Sequence, residues 1–166
     1  MPATDQDWAK AYATQALSDL DAREKLARSG AHKCHRLHFL QMAAEKVCKA
    51  YLTASNGHSN VRKSHAYVAK NLPLIARVVY SSVGNRMAAW EISQIKDLAH
   101  EIQLLAPACD DGDVRLDNSE YPWQDRVGNI LVPSEYSFPN IDDSSQNRTI
   151  VKLIRLIRTA SESYIR

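Results

Sequence analysis

The stretch His-Phe-Leu-Gln-Met-Ala-Ala-Glu-Lys-Val-Cys-Lys-Ala-Tyr-Leu, residues 38–52, decides how the rest of the chain is read. Leu37, Leu40, Ala44, Val47 and Tyr51 recur at intervals of three and four, the period of a helix seam. Projected at about 100° per residue, Phe39, Ala43 and Ala50 widen that seam to roughly half the circumference. An apolar arc that broad predicts a helix in contact with several neighbours at once. The remaining arc carries Gln41, Glu45, Lys46 and Lys49, with Glu45 placed four residues before Lys49, the favourable order for a helical ion pair. Taken alone, that arc reads as a solvated strip of mixed charge.

Working outward, 166 residues suit one domain, residues 1–166, large enough to bury a real core. Apolar residues at 45% and charged residues at 24% describe an ordinary globular composition. The net charge of +2 argues against a dedicated nucleic-acid coat or a polybasic membrane binder, so a nucleic-acid role must rest on a local patch. No apolar run approaches the roughly 20 residues that span a bilayer, and the N-terminus has neither the basic nor the apolar region of a signal peptide. Cys34, Cys48 and Cys109 are odd in number and form no Cys-x-x-Cys pair, which predicts reduced thiols in a cytoplasmic protein.

The flanking segments also read as helix. Thr4 is placed to cap a first helix, with Asp5 and Asp7 at its positive end. Trp8, Tyr12, Ala13, Ala16, Leu17, Leu20 and Ala27 form its apolar side, and Ser29-Gly30 supplies the stop. The second helix spans about 31–54 and ends at Ser55-Asn56-Gly57, a turn cluster that permits positive φ. Ser64 caps a short piece over 65–71, and Pro73 splits it from a separate or kinked helix over 74–82. Asn85 caps a further helix to about 106, with Ile95, Leu98, Ile102 and Leu105 as its stripe and Met87 and Trp90 packing earlier.

Residues 107–142 break the pattern. Long segments without regular structure are uncommon in compact domains. This one carries Tyr121, Trp123, Tyr136 and Phe138, unlike a disordered tract, so it is expected to lie ordered against the bundle. A strand or hairpin arm is expected over 127–132. A last helix over 144–164 buries Ile150, Leu153, Ile154, Leu156, Ile157 and Tyr164 and turns Lys152, Arg155, Arg158 and Arg166 to solvent. The expected fold is all-α: a roughly antiparallel four- to five-helix bundle with a long ordered loop before the last helix.

Ala16-Leu17-x-Asp19-Leu20, followed by Gln41-Met42-Ala43-Ala44-Glu45-Lys46-Val47-Cys48-Lys49-Ala50, resembles the HEPN-domain family (higher eukaryotes and prokaryotes nucleotide-binding). Ser64-His65 stands where that family carries a Thr/Ser-His pair, and Tyr121-Pro122 resembles its late Tyr-Pro. The resemblance implies a helical bundle that is commonly a homodimer. Such bundles are often encoded beside a minimal nucleotidyltransferase or act in toxin–antitoxin and defence systems. HEPN ribonucleases carry an Arg-x4–6-His motif near the start of a late helix. Here the only later histidine is His100, and Arg86 lies too far before it. The function implied is a binding module for a nucleotide, a nucleic acid or a partner nucleotidyltransferase. The alternative is a metal-independent endoribonuclease with a non-standard active site built on Arg62 and His65, since such cleavage needs an acid/base and a cation for the phosphate charge.

Three clusters carry candidate chemistry. Lys46, Lys49 and His65 would hold a phosphate if their helices are neighbours; the competing reading is the solvated strip, whose ion pairs contribute little. Asn118, Tyr121 and Trp123 offer rings to stack a base and an amide to read its edge; the competing reading is a loop anchored by its aromatics. His32, His35 and His38, spaced by three around Cys34, have a zinc-like interval but no carboxylate at ligand spacing, so a polar face is preferred and no metal or cofactor is expected.

Overall fold

Residues 2–61, 67–82, 84, 86–108 and 114–166 are described by a computed structural model of the chain. Five α-helices occupy most of them: α1 Asp5–Arg28, α2 Lys33–Asn56, α3 Val68–Ser82, α4 Ala89–Leu104 and α5 Arg148–Ile165. The fold is an all-α bundle. Two two-residue strands, β1 Trp123–Gln124 and β2 Ile130–Leu131, pair antiparallel in the segment before α5. No described helix is long and apolar enough to cross a membrane.

Local chemistry sets the helix ends. Thr4 Oγ1 accepts the Asp7 amide at 3.2 Å while Asp7 Oδ2 accepts the Thr4 amide at 2.8 Å, a reciprocal capping box. α1 stops at Ser29-Gly30, where Gly30 takes φ 71°, a conformation that costs a glycine little. The turn over 29–32 folds α2 back along α1. Gly57, at φ 81°, closes α2, and the next amide, His58 N–H, donates to Asp5 Oδ1 at 2.8 Å, tying the end of α2 to the start of α1.

α2 is the centre, in contact with each of the other four helices. The seam Leu37, Leu40, Ala44 and Val47 is fully buried, as are Ala43, Cys48 and Ala50. Leu20 from α1, Leu72 from α3, Ile95 and Ile102 from α4 and Leu153, Leu156 and Ile157 from α5 complete the core. Each such side chain contributes about 1.5–3 kcal/mol on burial.

The charged strip of α2 is the main correction to the sequence reading. It is not solvated. Gln41, Glu45 and Lys49 are 2%, 6% and 7% exposed, because α2 is covered on that side too. The buried charges are therefore paired: Lys49 Nζ lies 2.8 Å from Glu45 Oε1, and Gln41 Nε2 donates to Glu45 Oε2 at 3.1 Å. Lys46 Nζ reaches across to Asp19 Oδ2 on α1 at 2.5 Å. Asp19 and Arg23, absent from the expected apolar side of α1, are buried, whereas Trp8 and Ala27 are exposed.

Further boundaries differ. α3 runs unbroken through Pro73, because a proline in the opening turns costs a single backbone bond and its ring is buried against the core. The pieces expected over 65–71 and 74–82 are thus one helix from Val68. Asn85 lies outside the described residues; α4 begins at Ala89, with the Ala88 amide donating to Glu91 Oε2 at 3.0 Å. Trp90 is not packed inward but 61% exposed, with Lys152 Nζ 5.8 Å from its ring centre. α5 starts at Arg148, not 144, since Asn147 Oδ1 accepts the Thr149 amide at 3.0 Å as cap. Its basic face is not simply solvated: Lys152 pairs with Glu91 of α4, and Arg158 with Asp21 and Glu24 of α1.

The described part of the segment between α4 and α5, residues 114–147, is ordered, as its aromatics predict. Trp123, Phe138 and Ile141 are buried, and Tyr136 stacks edge-on between Trp123 and Phe138 at centroid distances of 5.1 and 5.0 Å. The hairpin turn is held by Asp125 Oδ1, which accepts the amides of Val127 at 3.0 Å and Asn129 at 2.8 Å. The expected strand over 127–132 is present as the short β2 arm.

Candidate functional site

A cleft of about 440 Å³ forms where the first turns of α2 meet the loop after α4. Cys34, His35 and His38 line one side; Ser119, Glu120, Tyr121 and Pro122 line the other, with residues 132–134 at the rim. Two clusters that are remote in sequence, the histidines and the Tyr-Pro loop, thus share one wall-to-wall space. Its size falls within the roughly 300–1,000 Å³ of small-molecule sites.

The loop wall is built around Asn118, which is fully buried. Its Oδ1 accepts the amides of Glu120 at 2.9 Å and Tyr121 at 2.7 Å, and its Nδ2 donates to the Arg115 carbonyl at 2.7 Å. Both lone pairs of Oδ1 and one of the two Nδ2 hydrogens are spent on holding the loop. The Ser119 amide donates to the Leu105 carbonyl at 3.0 Å, which fastens the loop to the end of α4. Asp117, at φ 58°, gives the chain the left-handed step that this path requires.

That scaffold leaves Tyr121 54% exposed beside the cleft. Across from it, His38 Nδ1 lies 3.4 Å from Glu120 Oε1, and the His38 ring stands edge-on to Phe39 at 5.3 Å. His38 Nδ1 is buried and makes no hydrogen bond among the described residues, so Glu120 faces it at ion-pair distance only. An imidazole facing a carboxylate is a group able to accept, donate or orient through a proton. Cys34, at the floor, is buried, and burial pushes its thiol pKa up, so it is a poor nucleophile.

The sequence-derived candidates separate on inspection. Tyr121 lines the cleft, whereas Trp123 is 5% exposed and packs against Tyr136 as part of the loop's own core. Asn118 positions the loop from behind. Lys46 reaches Asp19 on α1, Lys49 is buried against Glu45 of its own helix, and neither is among the described residues that line the cleft. Arg62 and His65, the alternative catalytic pair, lie outside the described residues, as does Ser64. His32 and His35 meet edge-on at 6.2 Å, and among the described residues no group of three or more His, Cys, Asp or Glu is placed to hold a metal ion. Glu120 was missed as a partner for His38 because nothing local in either segment signals the other.

Comparison of the chain with protein-family models, with curated proteins and with solved structures gave no match.

Proposed function

We propose that this chain is a HEPN-like binding module that takes the base of a nucleotide, or of an unpaired RNA residue, in the cleft between α2 and the Tyr121 loop. The observation that carries the reading is Tyr121: a half-exposed ring beside Glu120, held by a buried Asn118 cap, with His38 on the facing wall. A tyrosine face stacks any base, and histidine and carboxylate groups supply the donor and acceptor that read its edge. Among the described residues, those lining the cleft include no lysine or arginine. Recognition therefore centres on the base, with the phosphates outside. A homodimer and a partner nucleotidyltransferase belong to the same reading and rest on the sequence resemblance alone.

The alternative, a metal-independent endoribonuclease, rests on Arg62 and His65, which lie outside the described residues. The His38–Glu120 pair can stand in as its acid/base, but among the described residues the cleft lining offers no lysine or arginine for the developing phosphate charge. A thermal-shift screen of mononucleotides and short RNAs, run beside a cleavage assay, tests both. Ligand-dependent stabilisation without cleavage supports the module. Cleavage that His38→Ala abolishes replaces it with the enzyme, and neither stabilisation nor cleavage overturns both.

A further inference from the structure

A second cleft, of about 550 Å³, opens between α1, α5 and the turn that precedes α5. Arg23, Arg36, Asp143, Ser145, Ile150 and Ile154 are among its lining residues. Arg36, one position from His35, faces this cleft and not the first. Its Nε and Nη2 grip Asp143 Oδ2 and Oδ1 at 2.8 and 3.2 Å, a bidentate pair, and its Nη1 donates to the Ala31 carbonyl at 2.5 Å. Glu24, the other acid lining the cleft, is held by Arg158 at 2.9 Å and Arg28 at 3.8 Å. Both acids are already neutralised.

Arg23 is different. It is 7% exposed, its Nε is buried with no hydrogen-bond partner, and its Nη2 makes one long contact of 3.4 Å to the Asp143 carbonyl. Among the described residues, no carboxylate lies within ion-pair distance of it. Burial lowers the pKa of the Arg23 guanidinium, and the nearby Asp143 charge only partly opposes that. A guanidinium stays protonated even so, and a buried cation without an anion costs several kcal/mol. An excess buried charge beside a cleft of this size is the arrangement of a site that awaits an oxyanion. Ile150, Val151 and Ile154 form an apolar wall along the same cleft, and the α5 N-terminus adds a positive field there although Asn147 already caps its Thr149 and Ile150 amides.

We infer that this cleft binds a small organic oxyanion, a carboxylate or phosphate monoester whose head sits on the Arg23 guanidinium and whose apolar body lies on Ile150, Val151 and Ile154. The site is separate from the Tyr121 cleft, so each stands or falls alone. Arginine Nε–H resonances of the full chain, followed by NMR while benzoate, phenyl phosphate or inorganic phosphate is added, read it directly. The Arg23 resonance is expected to shift with phenyl phosphate or benzoate while that of Arg36, already bound to Asp143, stays. Whichever of the two binds tighter identifies the head group, and inorganic phosphate alone binds more weakly for want of the apolar body. Arg23→Gln weakens binding about tenfold or more, the loss of one charge-assisted hydrogen bond. Val151→Asp, on the exposed rim, weakens it by repulsion without touching Arg23, whereas Tyr121→Ala changes nothing. An Arg23 resonance that no probe moves, or affinity unchanged in both Arg23→Gln and Val151→Asp, overturns the inference.

Discussion

Lys46 Nζ lies 2.5 Å from Asp19 Oδ2, in the seam between α1 and α2, with 17% and 7% of the two side chains exposed. Gln15 Nε2 donates to the other Asp19 oxygen at 3.1 Å. The lysine that sequence spacing offers as a phosphate ligand is therefore a tie between helices. Removing one member of such a pair strands a charge in the interior, and Asp19→Ala is expected to cost about 3–5 kcal/mol. At about 2–4 °C per kcal/mol for a domain of this size, the melting temperature should fall on the order of 10 °C. Calorimetry that finds no change would put the pair on the solvated surface instead.

Tyr121→Ala separates binding from stability. The ring is more than half exposed, so its loss should change the unfolding free energy by no more than about 0.5 kcal/mol. Base stacking on an aromatic contributes about 1–3 kcal/mol, so affinity for a mononucleotide should drop roughly 5- to 150-fold. Titration calorimetry on a variant with an unchanged melting curve reads the difference, and equal affinities would remove Tyr121 from the site.

Asn118→Ala should do both at once. Three hydrogen bonds disappear, and the Glu120 and Tyr121 amides lose their acceptor. An unsatisfied buried group costs about 1–3 kcal/mol. The loop wall loosens with it, so binding falls even though Asn118 touches no ligand. Asn118→Asp keeps the acceptor for the two amides and should restore binding more than stability. A variant that melts early yet binds normally would show that the loop does not shape the cleft.

Acid should open the chain first at its capped turns. Thr4 backbone and side-chain hydrogen bonds hold the Asp7 carboxyl below its ordinary value of 3.8, Asn129 does the same for Asp125, and Ser144 for Asp142. Each carboxyl binds its proton more weakly folded than unfolded. The stability they contribute is thus complete above about pH 4 and is lost as pH falls through the lower, folded value. Protection factors, with the intrinsic pH dependence of amide exchange divided out, should fall from pH 6 down to pH 3 at the start of α1, in the β1–β2 turn and before α5, ahead of α2. Simultaneous loss everywhere would contradict this.

The helices were legible because each signal is local. Thr4, Gly30 and Gly57 act through their own backbone, and the seam of α2 repeats within one turn of helix. The order of residues 114–142 was legible from their aromatics. The burial of Gln41, Glu45 and Lys49 was not. A polar arc looks the same from within one helix whether water or another helix covers it, and only the partner Asp19 or the covering surface distinguishes the two. Trp90 failed in the opposite sense: it has the right period but lies at the surface, 61% exposed, with the Lys152 ammonium over its ring.

Sequence by itself determined the all-α bundle, the central place of α2 and the caps that begin and end α1, since all follow from periodicity and backbone chemistry over a few residues. Tertiary structure alone decided which polar groups meet. It brought His38 to Glu120, set Arg36 on Asp143, left Arg23 buried without an anion, and turned Lys46 inward. Those pairings depend on how far apart segments pack, and the energy of a charge depends on the water excluded from it, which no one-dimensional pattern records.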